Sequence, residues 1–440
     1  MRHCQAVVIG GGCGGLAAAA KLKLEGLEDV ILIERDVELG GVLNQCIHNG
    51  FGLTTFKEQL SGPAFAERYE REAVAVGVEI KLGTMVTHMS ADRIIEYVSQ
   101  EEGYQKLQAD IIILAVGCYE RSRGALGIPG ERPTGVYTAG QAQRYLNIDG
   151  YMVGKRVFIL GSGDIGLIMA RRMSLEGAEV LGVAELMPYS NGLPRNMKQC
   201  LYDFGIPLYL SHTVTNIYGR DRLERIELTK VDDKRQPIKG SEMYFDVDTL
   251  LLSVGLIPEN TLAEEAGIAM DQSIRGPVVD ENYMTSVPGI FACGNGLHVH
   301  DLADFVTKQA GEAAVGAVRY YETIKSDIQK CHDAGLDDKV TQASAKVSQG
   351  DIYYEAHAGN LVGYVVPAKI HRENLPKAVT FYFRVRKPMN DIEIEILKGD
   401  KLLRTIHKDA VIPSEMEQVV IAGKYLEEVD GDLTVQIKEN

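Results

Sequence analysis

The chain has 440 residues, 45% hydrophobic and 24% charged, with a formal net charge of −15. These proportions describe a globular protein with room for about three domains. The acidic balance argues against nucleic acid or an anionic membrane as partner, because both call for a basic surface. No apolar run approaches the ~20 residues of a membrane span; the longest, Ile111-Ile112-Ile113-Leu114-Ala115-Val116, has strand length. The first strand opens almost at the start of the chain, which leaves no room for a signal peptide, so a cytoplasmic location is expected. The cysteines, Cys4, Cys13, Cys46, Cys118, Cys200, Cys293 and Cys331, form no C-x-x-C or other close pair. That excludes a local dithiol or zinc knuckle of ordinary spacing and fits reduced thiols.

In chain order, Ala6 to Ile9 is a buried strand that runs into Gly10-Gly11-Gly12-Cys13-Gly14-Gly15 and an Ala-rich helix over 16–25. Gly10, Gly12 and Gly15 form G-x-G-x-x-G. The first glycine permits a tight turn, the second lets a pyrophosphate approach the backbone, and the third lets helix and strand pack closely. Val30 to Ile33 is the next strand and ends in Glu34, a carboxylate placed to accept from a ribose hydroxyl. A polar cluster follows Gly40-Gly41: Asn44, Gln45, Cys46, His48 and Asn49. The pattern then predicts a helix over 64–76, short strands at 79–82 and 85–87, a hairpin of 93–97 with 103–107, and a central strand at 111–114 that leads to Ala115-Val116-Gly117.

The whole arrangement recurs. Val157 to Leu160 runs into Gly161-Ser162-Gly163-Asp164-Ile165-Gly166, a helix follows, and Val180 to Ala184 ends in Glu185. Both acids stand at the same distance from the first glycine of their turn. One such motif is weak evidence, but two complete units with matched acids imply two dinucleotides. A hairpin is expected over 214–229 and 243–247, a buried strand at 249–252, and a helix from Asp301 to Tyr321 with Ala310, Ala313, Ala314 and Ala317 on one face. After a polar linker, period-2 alternation (Val379, Phe381, Phe383, Val385; Ile392, Ile394, Ile396; Leu433, Val435, Ile437) predicts a small antiparallel β-sandwich. The fold class is α/β, with two Rossmann-like domains in three-layer ββα form plus that sandwich. The expected domains are 1–122 with 256–325, an inserted 123–255, a linker at 326–350, and 351–440.

At these residues the chain resembles the two-dinucleotide-binding-domain flavoproteins of the pyridine nucleotide–disulfide oxidoreductase superfamily. The marks are both glycine turns, Glu34 with Arg35, Ala115-Val116-Gly117, Gly255-x-x-Pro258, and Thr285 to Asn295. The resemblance implies FAD in the first unit, held by Gly10, Gly12, Gly15, Glu34, Arg35, Gly41, Asn44, Val86, Ala115, Gly117, Gly294 and Asn295. It implies NAD(H) in the second, held by Gly161, Gly163, Asp164, Ile165, Gly166, Glu185 and Gly255. The last FAD motif usually ends in Gly-Asp and here reads Gly294-Asn295, whose amide still bonds hydroxyls. More narrowly, Gly40 to Gly52 and Gly294 to Asp301 resemble the flavoprotein that accompanies bacterial anaerobic glycerol-3-phosphate dehydrogenase, and the α-type subunits of sarcosine oxidase, proline dehydrogenase and opine oxidases. That implies a hetero-oligomer with an FAD-containing dehydrogenase subunit and an iron–sulfur or Cys-rich electron-transfer component.

Disulfide reductases of this fold carry C-x4-C after the Gly-Gly of the FAD unit or C-x-x-C in the NAD unit. Here the first place holds only Cys46 and the second holds no pair. The expected chemistry is therefore hydride exchange between NAD(H) and FAD, with electrons passed to a partner. Glu185 repels a 2′-phosphate, and Leu186-Met187-Pro188 offers no arginine to bind one, although Arg195 has the reach; this favours NAD over NADP. Candidates for a catalytic role are Cys46, His48, His298 and His300. Cys46 has no second cysteine or base to activate it and reads as a structural thiol. His298 and His300, with Asp301 and Asp304, stand at a helix start, where bonds to cofactor or backbone are favoured over a metal; no metal site is assigned. The helix near Asp301 is expected to direct its positive end to the flavin. The sandwich, lacking catalytic groups, reads as an assembly surface. Two alternatives remain: a self-sufficient oxidase or dehydrogenase of a small amine, amino acid or NADH, and a non-catalytic scaffold holding FAD and an adenine nucleotide.

Overall fold

The computed structural model describes residues 1–333, 353–372, 377–427 and 431–439. The chain divides into two compact units, Met1–Cys118 with Pro258–Asn440, and Tyr119–Ile257. From residue 334 onward, the expected linker lies outside the described residues.

In the first unit a parallel sheet has the spatial order Glu79–Lys81, Val30–Ile33, Arg2–Ile9, Gly103–Leu114, with Ile290–Ala292 beyond. Val7 faces Ile31 on one side and Ile112 on the other, and all three are fully buried, as a strand covered on both faces requires. The hairpin and the central strand, expected as separate elements, share one strand, Gly103–Leu114. Its first half pairs antiparallel with Ile94–Ser99 and its second half parallel with Ile290–Ala292. The polar stretch does not break it because Asp110, although buried, is bonded by His3 Nε2 at 2.8 Å.

The helix Cys13–Leu24 lies against the long helix Ala303–Asp333. Gly14 makes that approach possible, since a Cβ there would meet Val306 Cγ1 at 3.1 Å. The long helix starts at Ala303 rather than Asp301 and continues well past Tyr321, because neither glycine nor proline occurs between Tyr321 and Gly335.

The C-terminal strands form two sheets. One has the order Lys369–His371, Tyr353–Ala358, Leu433–Glu439, Met389–Lys398, Lys401–Val411; the other has Val362–Val366, Ala378–Val385, Glu417–Ala422. They enclose the alternating residues Phe381, Phe383, Ile392, Ile394, Ile396, Leu433 and Val435. Among the described residues the sandwich is antiparallel except for one pair: Tyr353–Ala358 runs parallel to Leu433–Glu439.

The second unit has a five-stranded parallel sheet in the order Val136–Thr138, Thr249–Leu252, Arg156–Leu160, Glu179–Glu185, Leu208–Leu210. Beside it in sequence stands a three-stranded antiparallel sheet, His212–Tyr218, Arg225–Lys230 and Met243–Asp246, which corresponds to the hairpin expected over 214–229 and 243–247.

Candidate functional site: two glycine turns

In the first unit, Gly10 has φ +105°, and a Cβ there would meet Ala115 O at 2.5 Å. A Cβ on Gly15 would stand 1.7 Å from Gly10 O. At Gly12 nothing lies within 4 Å, and φ −71° is open to any residue. Turn and packing thus need two of the glycines, while the middle one leaves an open approach to the backbone at the head of a helix with no acid in its first turn. Glu34 is buried and accepts from Gly11 N at 2.5 Å and Asp36 N at 2.8 Å. Each carboxylate oxygen keeps one acceptor position.

Other expected residues gather round this turn. Gly40 N bonds Gly11 O at 2.9 Å, and a Cβ on Gly41 would lie 3.2 Å from Gly12 Cα. Asn44 Nδ2 donates to Leu39 O. Ala115 N bonds Ile9 O, and a Cβ on Gly296 would meet Gly117 O at 3.4 Å. Asn295 Oδ1 accepts from His300 N, and its Nδ2 donates to Cys118 Sγ at 3.6 Å. Arg35 is exposed. Val86 is buried on the strand Thr84–Met89, whose first N–H bonds Glu34 O.

Burial pushes the Cys46 thiol up to about 12, and Sγ–H donates to Val42 O at 3.3 Å, so at neutral pH it is a protonated, inert thiol. His48 is half-buried, with its ring 5.1 Å from Phe51.

His298 and His300 are buried with ring centroids 4.4 Å apart. Gln309 joins them, and the arrangement fixes their tautomers. Gly294 N–H donates to Gln309 Oε1, so Oε1 is the acceptor that His300 Nε2–H also reaches at 2.9 Å. The Gln309 amide then donates to His298 Nε2 at 2.8 Å. His300 Nδ1 is left with a lone pair and His298 Nδ1 with a proton, and neither has a partner among the described residues. Burial lowers both pKa values, His300 to about 4 and His298 well below the ordinary value, so both rings are neutral.

Neither flanking acid joins these histidines. Asp304 accepts from Gly52 N, Thr54 N and Thr55 N, and Asp301 is held by Arg384 and Met416 N. Gln309, Arg384 and Tyr382 were missed from sequence. The alternation of 379–385 points Phe381 and Phe383 into the sandwich but says nothing of the face carrying Tyr382 and Arg384. That face packs behind His298 and His300, with Tyr382 5.6 Å and 6.1 Å from their rings.

The second unit repeats the geometry within itself. Gly161 has φ +100°, with Ser253 O 1.9 Å from its hypothetical Cβ, and a Cβ on Gly166 would meet Gly161 O at 2.6 Å. Gly163 has room, its nearest neighbour being Ser253 Oγ at 3.6 Å. Glu185, also buried, accepts from Ser162 N at 3.0 Å, Ser162 Oγ–H at 2.6 Å and Met187 N at 3.0 Å. Asp164 opens the helix Asp164–Leu175, and its Oδ1 accepts from Leu193 N and Asn196 Nδ2. Ile165 is the next residue of that helix, and Gly255 has φ +102°. Arg195 is exposed on the helix Pro194–Cys200. Burial raises the Tyr189 hydroxyl, while the charges of Arg235 and Glu185 pull it in opposite directions.

Each turn, with an open middle glycine and a buried carboxylate retaining acceptor capacity, fits a dinucleotide. The fold and these turns define a protein with two dinucleotide-binding units. A model of the pyridine nucleotide-disulphide oxidoreductases matches residues 4–319, and the chain belongs to that family. FAD and NAD(P)H are the cofactors of this family.

Among curated relatives, the hydrogen cyanide synthase subunit HcnB of Pseudomonas protegens is 24% identical over 332 residues, 70% of this chain and 67% of the relative. The ferredoxin–NAD(+) reductase subunit of the benzene 1,2-dioxygenase system of Pseudomonas putida is 29% identical over 300 residues, 66% of each. Among solved structures, thioredoxin reductase of T. acidophilum shares the fold with TM-score 0.59 and 24% identity, over 72% of this chain and 98% of that one. No helix among the described residues is long and apolar enough to cross a membrane.

Proposed function

We propose that this chain is the FAD- and NAD(H)-binding subunit of a dehydrogenase complex, exchanging reducing equivalents between the two cofactors and passing electrons to a partner. The observation that carries the reading is the pair of matched turns, each with a buried acid, in a chain with no C-x-x-C or C-x4-C pair. Two relatives bear the word subunit in their names, one of them as a ferredoxin–NAD(+) reductase, and this supports a partner with an iron–sulfur centre. The motifs Gly40 to Gly52 and Gly294 to Asp301 point to a glycerol-3-phosphate dehydrogenase-like assembly in the cytoplasm.

When bound, FAD converts two-electron transfer into single-electron steps. In this proposal Gly10, Gly12, Gly15, Glu34, Gly41, Asn44, Ala115, Gly117, Gly294 and Asn295 hold it. Gly161, Gly163, Ile165, Gly166, Glu185 and Gly255 hold NAD(H). Glu185 keeps one acceptor position for a ribose hydroxyl and disfavours a 2′-phosphate. The neutral His298 and His300 add no positive charge beside Gly294. Asp164 favours one other reading, a second unit that binds its nucleotide weakly or only structurally, because a carboxylate heads the helix where phosphates approach.

The test is anaerobic mixing of the purified yellow chain with NADH, then NADPH, following the flavin absorbance. Rapid bleaching by NADH and slow bleaching by NADPH is the expected result. A flavin that stays oxidised with both overturns the reading and leaves the structural one.

A further inference from the structure

Away from both turns, Asp280, Glu281 and His371 bring two carboxylates and an imidazole together where the sandwich packs on the segment leading to Ile290–Ala292. Backbone bonds fix the approach: Ala368 N and Lys369 N both reach Val279 O. His371 Nδ1 lies 2.9 Å from Glu281 Oε1 and 3.7 Å from Asp280 Oδ2. Ligand atoms around a tetrahedral zinc ion, with bonds of about 2.0–2.1 Å, stand about 3.3 Å apart, between those two distances.

A second observation points the same way. The Asp280 side chain is 4% exposed and the Glu281 side chain 2%. Asp280 Oδ1 is satisfied by Asn282 N and Met284 N. Its Oδ2 receives no hydrogen bond among the described residues and is turned toward His371 and Glu281. Neither carboxylate pairs with a lysine or arginine among the described residues. Two buried carboxylates against one imidazole leave negative charge that a cation would neutralise.

We propose that Asp280 Oδ2, a Glu281 oxygen and His371 Nδ1 form a binding site for one divalent transition-metal ion of the zinc class, clamping the sandwich to the rest of the first unit. The ion takes the place of the proton that His371 now shares with Glu281.

The flavoprotein, stripped with a chelator and desalted, is titrated with ZnCl2 by calorimetry at pH 8, and its retained metal is counted by mass spectrometry. One zinc per chain is expected, bound at least tenfold more weakly in His371→Ala and Glu281→Gln. X-ray absorption of the zinc-loaded wild type, counting one imidazole among oxygen ligands, reads the site without any substitution. No saturable binding by the wild type, or oxygen-only ligation, overturns the proposal. So does equal affinity in folded variants, which would place the ion elsewhere.

Discussion

The two glycine turns read almost alike in sequence, yet the structure gives them different chemistry. In the first, Gly11 presents only its N–H to Glu34, and the helix beyond starts without charge. In the second, Ser162 stands at the equivalent place, and its hydroxyl takes a further acceptor position on Glu185 while receiving Asn191 N at 3.0 Å. The helix beyond starts with Asp164. Glu34 therefore keeps two free acceptor positions where Glu185 keeps one, and the helix after the first turn faces an anion without a carboxylate in its opening residues. A shared spacing sets the backbone of a nucleotide turn, and the side chains between the glycines set how strongly it attracts phosphate.

The sharpest way to break the parallel is at the third glycine. Gly15→Ala places a Cβ 1.7 Å from a backbone oxygen that cannot retreat, whereas Gly166→Ala meets its nearest backbone atom at 2.6 Å. Gly15→Ala is expected to cost ~4 kcal/mol or to abolish folding of the first unit, and Gly166→Ala about 1–3 kcal/mol. Denaturant unfolding measures both, and equal losses would show the two turns to be equally tight.

The middle glycines separate folding from binding. Gly12 and Gly163 have extended backbone, at φ −71° and −66°, and no atom nearer than 3.6 Å to an added Cβ. Alanine is expected to change stability by less than about 0.5 kcal/mol. Gly12→Ala should nevertheless yield colourless protein, and Gly163→Ala a yellow protein that NADH no longer bleaches. Flavin content and anaerobic bleaching check the pair. Retained FAD in Gly12→Ala would mean that phosphate does not approach there.

Much of this was legible because it is local. Gly10 and Gly15 answer to a turn and a close contact within a few residues, and the alternations at 379–385 and 392–396 fix an inner face by period alone. What escaped is made by distant parts of the chain. Arg384 reaches Asp301 from another sheet, Gln309 joins His298 to His300 across a helix start, and His371 meets Glu281 from a strand 90 residues on. No spacing rule reports such pairs. The long helix was foreseen too short because the mostly polar run Lys325-Ser326-Asp327-Ile328-Gln329-Lys330 reads as the start of a linker, although nothing in it breaks a helix.

The finest test of the contrast is Asp164→Asn. The amide oxygen still accepts from Leu193 N and Asn196 Nδ2, so the loop over 191–196 keeps its anchor while the helix start loses its charge. A charge at a helix terminus is worth about 0.3–1 kcal/mol, so NADH is expected to bind roughly two- to fivefold more tightly, with FAD affinity unchanged because Asp164 belongs to the other unit. Titration of the oxidised flavoprotein with NAD and with NADH, read by calorimetry, measures the shift. Tighter binding would make Asp164 a brake that keeps the pyridine nucleotide exchanging while FAD stays resident. An unchanged constant would mean that the bonds to Leu193 and Asn196 already turn its charge away from the phosphates, and the two turns would then differ only at Ser162.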